Sequence, residues 1–320
     1  MKSFLKSFIS ILTFVLFLIS CNTTGVDTIE ETTTRGNIKI GVDESYRLLM
    51  DTEIYTFISL YNYTKITPLY KSELGILDDF INDSIRLMVT GRKLTQKEDE
   101  YLKSKSIYPK TTKIAYDALA FIVNKNNPDS LLRYNEIRDI FTGKIKSWNQ
   151  INKKSTIGEL KVVFDNDSSG NVRYIKEKFS LPVKFPSYCL ATNTNEEVIN
   201  YVEKHKNAIG LLSVNWISDP GDSVSHRFLK KVQVVSVTSA EDPDGNEFYT
   251  PHKGYVANRS YPFVREVYII NRETFDGLGT GLTAFIAGDQ GQRIILRSGL
   301  VPATMPIRIM QIKSENIEVK

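Results

Sequence analysis

From Asn37 onward the chain alternates short apolar runs with amphipathic stretches, and this alternation restricts its architecture more than any other feature. Ile38–Val42 predicts a strand, and a helix follows from about Tyr46 to Tyr61. Ile66–Tyr70 reads as a second strand, Ser72–Asn82 as a helix and Ile85–Val89 as a third strand. Leu94–Lys105 predicts a charged helix, with Thr95 as N-cap and Glu98 completing a capping box. Lys113–Asn124 is a long strand. Strand and helix in turn predict an α/β fold with mainly parallel sheets.

Beyond Pro128 the pattern continues. Tyr134–Phe141 predicts a short helix stopped by Gly143, and Lys161–Phe164 a strand. A polar turn, Asp165-Asn166-Asp167-Ser168-Ser169-Gly170-Asn171, leads into a helix over Val172–Phe179. Helices are expected over Glu196–Lys204, Leu282–Ala287 and Gln290–Ser298, and strands over Ala208–Leu212, Val232–Val237 and Glu266–Ile270. Asp242-Pro243-Asp244-Gly245 is a turn, and Gly277-Leu278-Gly279-Thr280-Gly281 reads as a loop before a helix. The sequence shows no internal repeat.

The first twenty residues differ in kind. Lys2 and Lys6 give a positive start, and Phe8–Ile19 is almost wholly apolar. That run is too short to span a hydrocarbon core of roughly 30 Å as a helix, and it reads as a signal segment covering residues 1–20. It ends in Leu18-Ile19-Ser20-Cys21, which resembles the bacterial lipobox and makes Cys21 the expected site of lipidation. An uncleaved anchor with an incidental cysteine is the alternative. Residues 21–36, rich in Thr, Glu and Asp, read as a tether. Cleavage would remove Lys2 and Lys6, lowering the formal net charge from +4 to +2. Lipid on Cys21 would leave Cys189 without an intramolecular disulfide partner, and its apolar setting suits a buried structural thiol.

Several functions are disfavoured. With 41 Lys and Arg against 37 Asp and Glu there is no basic footprint for nucleic acid. His205, His226 and His252 lack metal-ligand spacing, and no G-x-S-x-G, Walker A or G-x-G-x-x-G occurs, so neither a metal nor a cofactor is expected. No acid–base or nucleophile set stands out, so the chain does not read as an enzyme.

Three loops could instead hold an anion. The strongest is the turn running into Ser169-Gly170-Asn171, where unpaired amides and hydroxyls would meet a helix N-terminus, with Arg173 in its first turn. An ordinary helix cap is the alternative there. Glu44-Ser45-Tyr46 and Thr90-Gly91-Arg92 follow two other strands in the same way. In open α/β sheets ligands sit beyond the carboxyl ends of strands, so the three could converge on one anion.

The run Thr112–Asn124 with Asn127-Pro128, and Ile137–Ile145 with Trp148-Asn149, resemble segments of the phosphate-binding proteins of ABC importers. The second carries that family's IFxGKIxxWN ending. Ala208–Leu212, Tyr261-Pro262 and Gly288–Gln292 also resemble family segments, so the likeness extends over residues 37 to 303. It implies a two-lobed periplasmic-binding-protein-like fold, each lobe a mainly parallel sheet flanked by helices, joined by a two-strand hinge. One lobe would be 37–123 with 262–320, the other 124–261, with Ala118–Val123 and Glu266–Ile270 as the hinge pair.

The resemblance further implies a monomeric, exported, lipid-anchored protein that captures phosphate or a similar oxyanion for a membrane permease. A surface lipoprotein of the same fold, used in signalling or adhesion, is the second reading. The implied ligand residues are Glu44, Ser45, Tyr46, Thr90, Gly91, Arg92, Asp165, Ser168, Ser169, Gly170, Asn171 and Arg173. The family turn R-x-D-G-S-G-T has Asp165 here in place of its arginine and Asn171 in place of its threonine. Asp165 is therefore expected to pair with Arg92 or Arg173, to accept a proton from phosphate, or to cap the turn.

Overall fold

A computed structural model describes residues 31–182, 184–218 and 223–305. Cys21 and residues 306–320 lie outside them. In the first lobe the chain runs through β1 (Gly36–Asp43), α1 (Arg47–Leu60), β2 (Thr64–Lys71), α2 (Glu73–Ile81), β3 (Leu87–Thr90) and α3 (Gln96–Ser104) into the long strand β4 (Lys110–Asn124). The expected capping box is present: the Thr95 amide donates to Glu98 Oε2 at 2.7 Å and the Glu98 amide to Thr95 Oγ1 at 3.4 Å.

The second lobe contains β5 (Leu131–Leu132), α4 (Tyr134–Phe141), α5 (Trp148–Ile151), β6 (Lys161–Phe164) and α6 (Gly170–Lys178). After these come β7 (Cys189–Ala191), α7 (Asn195–Lys204), β8 (Ala208–Ser213), α8 (Ser223–Lys231), β9 (Val232–Val234), β10 (Ser236–Thr238), β11 (Phe248–Tyr249) and α9 (Lys253–Ala257). The chain then returns through β12 (Val264–Asn271), α10 (Leu278–Ala287), α11 (Asp289–Arg297) and β13 (Val301–Pro302).

The sheet order β2-β1-β3-β12-β4-β8-β6-β7 passes from one lobe to the other through β4. Residues up to Ala118 pair antiparallel with β12, and from Leu119 the same strand pairs with β8. The return crossing lies earlier than expected. Glu266–Ile270 belongs to the first sheet, between β3 and β4, and the chain re-enters beside Phe263, whose carbonyl accepts the Leu119 amide at 2.9 Å. Apolar side chains from both lobes form one continuous core, including Phe121, Phe263, Trp148 and Trp216.

Three local expectations change. Val232–Val237 is not one strand: β9 pairs with β4 while β10 pairs with β5 and β11, because Val235 hands the chain between sheets. Gly277–Gly281 is not a free loop but opens α10, since the Glu273 carboxylate accepts the Gly279 and Thr280 amides at 3.0 and 2.8 Å. Finally, residues from Glu31 onward join the fold, with the Glu31 carboxylate accepting from Arg86 at 2.7 Å and from the Leu278 amide at 3.1 Å.

Candidate functional site

The parallel register of β1 with β3 sets their carboxyl ends side by side, so Asp43 and Thr90 open neighbouring loops. After β1 the chain winds into one tight turn, Glu44–Tyr46, fixed by Asp43 Oδ1 accepting the Ser45 amide at 3.0 Å. After β6, Ser169 rather than Val172 sets the helix start: its Oγ accepts the Val172 amide at 3.3 Å and donates to Asp165 Oδ1 at 2.7 Å. Asp165 thus caps the turn. The expected pairing with an arginine is not formed, because Arg92 and Arg173 are held by glutamates.

The three loops meet between the lobes. Ser45 Oγ lies 3.4 Å from Asn171 Oδ1, the Leu74 amide donates to the Ser168 carbonyl at 3.3 Å, and Arg173 Nη2 donates to the Gly91 carbonyl at 3.3 Å. A Cβ on Gly170 would lie 2.6 Å from Asp43 Oδ2, and one on Gly91 would lie 3.0 Å from the Tyr46 hydroxyl. A side chain at 170 would force the Asp43 carboxylate to shift. Glu44 reaches across to cap α7, its Oε2 accepting the Asn195 amide at 3.1 Å as well as the Asn195 side chain. The Ser45 carbonyl accepts from Trp216 Nε1 at 3.1 Å and from Asn215 Nδ2 at 3.4 Å.

Arg92 and Arg173 are committed elsewhere. Arg92 forks onto Glu98 at 2.7 and 2.8 Å, and Arg173 binds Glu73 and Glu177. The cation facing the Asp43 and Tyr46 side of the cleft is Arg265, on β12. It is buried beside the Tyr46 ring, 5.3 Å from its centroid, and its Nε donates to Asp117 Oδ2 at 2.9 Å. Ser213 Oγ holds the other Asp117 oxygen at 2.8 Å. Arg265 Nη1 and Nη2 have no partner among the described residues, nor do Asp43 Oδ2, Glu44 Oε1, the Tyr46 hydroxyl and Asn215 Oδ1. The Gly170 and Asn171 amides, at the start of α6, also have no acceptor among the described residues.

Burial strains the carboxylates. Desolvation and the neighbouring Glu73 charge push Asp43 up to about 7, against the pull of Arg265. Burial pushes Glu44 up to about 8, opposed by its bonds to Asn195. Burial raises Asp165 as well, against the Ser169 hydroxyl. Each buried polar group left unpaired costs about 1–3 kcal/mol. The cluster therefore suits a small polar solute that both accepts hydrogen bonds, from Arg265, Tyr46 and the amides, and donates them, to the carboxylates. A cavity of about 820 Å³ lined by Val214, Ile217, Val234, Pro251 and Arg297 contains none of these loops.

A family model described as a PBP superfamily domain matches residues 27–289. The chain belongs to the PBP superfamily. Among curated relatives, the phosphate-binding protein PstS of Staphylococcus saprophyticus is 26% identical over 201 residues, covering 62% of this chain and 58% of that protein. PstS of Borreliella burgdorferi is 21% identical over 273 residues, covering 82% and 89% respectively. A Clostridium perfringens substrate-binding protein solved with bound phosphate superposes with a TM-score of 0.71 at 22% identity, over 83% of this chain and 99% of that one. An ABC-type phosphate transport receptor from Vibrio cholerae gives 0.62 at 19%, over 83% and 100%. These neighbours establish the two-lobed fold of the superfamily.

Within this superfamily member, sequence reading missed Glu73, Asp117, Asn195, Asn215 and Arg265. For Arg265 a signal existed. It shares strand parity with the buried residues Val267 and Ile269, and a charge on the apolar face of a strand is rarely retained without a partner. Asn195 and Asn215 reach the cleft only through tertiary packing, which no local pattern encodes.

Proposed function

We propose that the chain is the solute-binding component of an ABC importer, closing its lobes on phosphate or a similar tetrahedral oxyanion and releasing it unchanged to a permease. The observation that carries this reading is the buried Arg265 guanidinium, whose two Nη groups have no partner among the described residues, near Tyr46 and Asp43. The PstS names of its relatives support phosphate as the solute. Arg265, Ser45, Tyr46, Gly170 and Asn171 supply donors, and Asp43 and Glu44 accept protons from the solute or carry their own. Such binding involves no covalent step. Cys189, pushed up to about 12 by burial, offers no thiolate nucleophile.

Because protonated Asp43 and Glu44 favour an anion, affinity falls as pH rises through their raised pKa values of about 7 and 8, by at most about tenfold per pH unit for one shared proton. Calorimetry on anion-stripped protein is expected to show phosphate binding one to one, tighter at pH 6 than at pH 8.5, with sulfate far weaker at pH 8.5, where the carboxylates are ionised and sulfate has no proton to offer them. Sulfate binding as tightly as phosphate, or phosphate affinity that rises with pH, contradicts the assignment.

The same reading includes export and lipid anchoring through Cys21, with the solute domain acting as a monomer. No helix among the described residues is long and apolar enough to cross a membrane. Cys21→Ala is expected to move the protein from the membrane to the soluble fraction. Equal incorporation of labelled fatty acid in both proteins would argue against it.

A further inference from the structure

Thr90, Arg92 and Arg173, three of the residues the sequence pointed to, already hold an anion, and it is the protein's own. Glu73, the first residue of α2, is 2% exposed. Its Oε1 lies 2.5 Å from Arg173 Nε and 3.4 Å from Arg92 Nε. Its Oε2 accepts from Arg173 Nη2 at 3.1 Å and from Thr90 Oγ1 at 3.2 Å. Both oxygens are thereby engaged by charge-assisted contacts or a hydroxyl, and Arg173 binds in the forked geometry guanidinium favours for carboxylate and phosphate alike. A Cβ on Gly170 would lie 2.9 Å from Glu73 Oε2, which sets the carboxylate against the first residue of α6, where a helix favours negative charge.

The contact also joins the lobes. Glu73, Thr90 and Arg92 belong to the first lobe, whereas Arg173 belongs to the second. Asp43 Oδ2, unpartnered and fully buried, approaches the same point on Gly170 at 2.6 Å. An oxyanion arriving there would meet two carboxylates, with Glu44 and Asp165 behind them and Arg265, Arg92 and Arg173 as the facing cations. Such a site binds an anion well only when one carboxylate withdraws.

We infer that Glu73 is a built-in competitor and latch: its carboxylate fills the anion position made by Thr90, Arg92 and Arg173, holds the solute-free lobes together, and is displaced when an oxyanion binds. The displacement half rests on the phosphate reading above. The latch half does not.

The test uses the full chain, stripped of anions, as wild type, Glu73→Gln, Glu73→Ala and Arg173→Gln. Phosphate titration is expected to show Glu73→Gln binding about tenfold more tightly than wild type and discriminating less against sulfate. Unchanged or weaker phosphate binding by Glu73→Gln overturns the competition. Small-angle scattering without ligand is expected to show expansion in both Glu73→Ala and Arg173→Gln, which break the pair from opposite sides. Glu98→Gln, which loosens only the contact of Arg92 within the first lobe, should leave the profile unchanged. Should none of the proteins bind phosphate, the solute assignment fails while the scattering still judges the latch. A profile identical in wild type, Glu73→Ala and Arg173→Gln overturns it.

Discussion

Replacing Arg265 by methionine is expected to abolish the proposed phosphate binding and to destabilise the fold by about 3–5 kcal/mol, the usual result of removing one partner of a buried ion pair. The side chains of Arg265 and Asp117 are 2% and 0% exposed, so the stranded Asp117 carboxylate has no route to water. Calorimetry reads the first effect and chemical denaturation the second. The double variant Arg265→Met, Asp117→Leu separates them. With both charges gone most of the stability returns, since hydrophobic replacement of a whole buried pair is often neutral or better. Phosphate binding does not return. A double variant that binds phosphate with native affinity would remove Arg265 from the site and leave it a purely structural ion pair.

Glu53 gives the second large effect, far from any solute chemistry in kind. It lies on the buried face of α1 with Leu49, Met50, Ile54 and Phe57, fully enclosed, and neither carboxylate oxygen has a partner among the described residues. Burial pushes its pKa up to about 9 from an ordinary value of 4.5. A folded-state pKa raised above the unfolded value means that the folded chain holds the extra proton. Stability from this group is therefore fully present below pH 4.5 and is lost as pH rises toward 9. The slope is at most about 1.4 kcal/mol per pH unit, on the order of 4 kcal/mol by pH 7.5. Glu53→Leu removes that loss. Urea midpoints for wild type and variant should diverge between pH 5 and pH 8, the variant gaining. Curves that stay parallel would show Glu53 to be hydrated or paired in solution.

Much of the fold was legible because local and global preferences agree. Tyr134–Phe141 and Lys161–Phe164 fall where periodicity placed them, and the Thr95–Glu98 capping box forms as its spacing required. Boundaries failed where tertiary contacts override pattern. Val232–Val237 is one apolar run, yet two sheets compete for it. The glycines of Gly277–Gly281 read as flexible, yet a carboxylate six residues before Gly279 caps them into a helix.

The site was half legible. Strand ends followed by hydroxyls, glycines and arginines announced three convergent loops, and these do converge. Their charge balance was only partly readable: Glu98 and Glu177 lie close to Arg92 and Arg173 in sequence, but Glu73, which meets both arginines, comes from another part of the chain. Glu73 opens a helix and carries an ordinary capping signature, Ser72 accepting the Gly75 amide at 3.3 Å. Nothing in that pattern says that its carboxylate faces the other lobe. Of the three roles expected for Asp165, capping the turn is the one its contact with the Ser169 hydroxyl supports.

In the proposed reading an oxyanion binds between the lobes on Arg265 and the start of α6. Arsenate, tetrahedral like phosphate and visible by anomalous scattering, tests it most directly in crystals of the anion-stripped protein. The anomalous peak is expected within the cleft, its oxygens at hydrogen-bond distance, about 2.7–3.2 Å, from Arg265 Nη and the Gly170 and Asn171 amides. Full occupancy at any other place, with those groups still unpartnered, would contradict it.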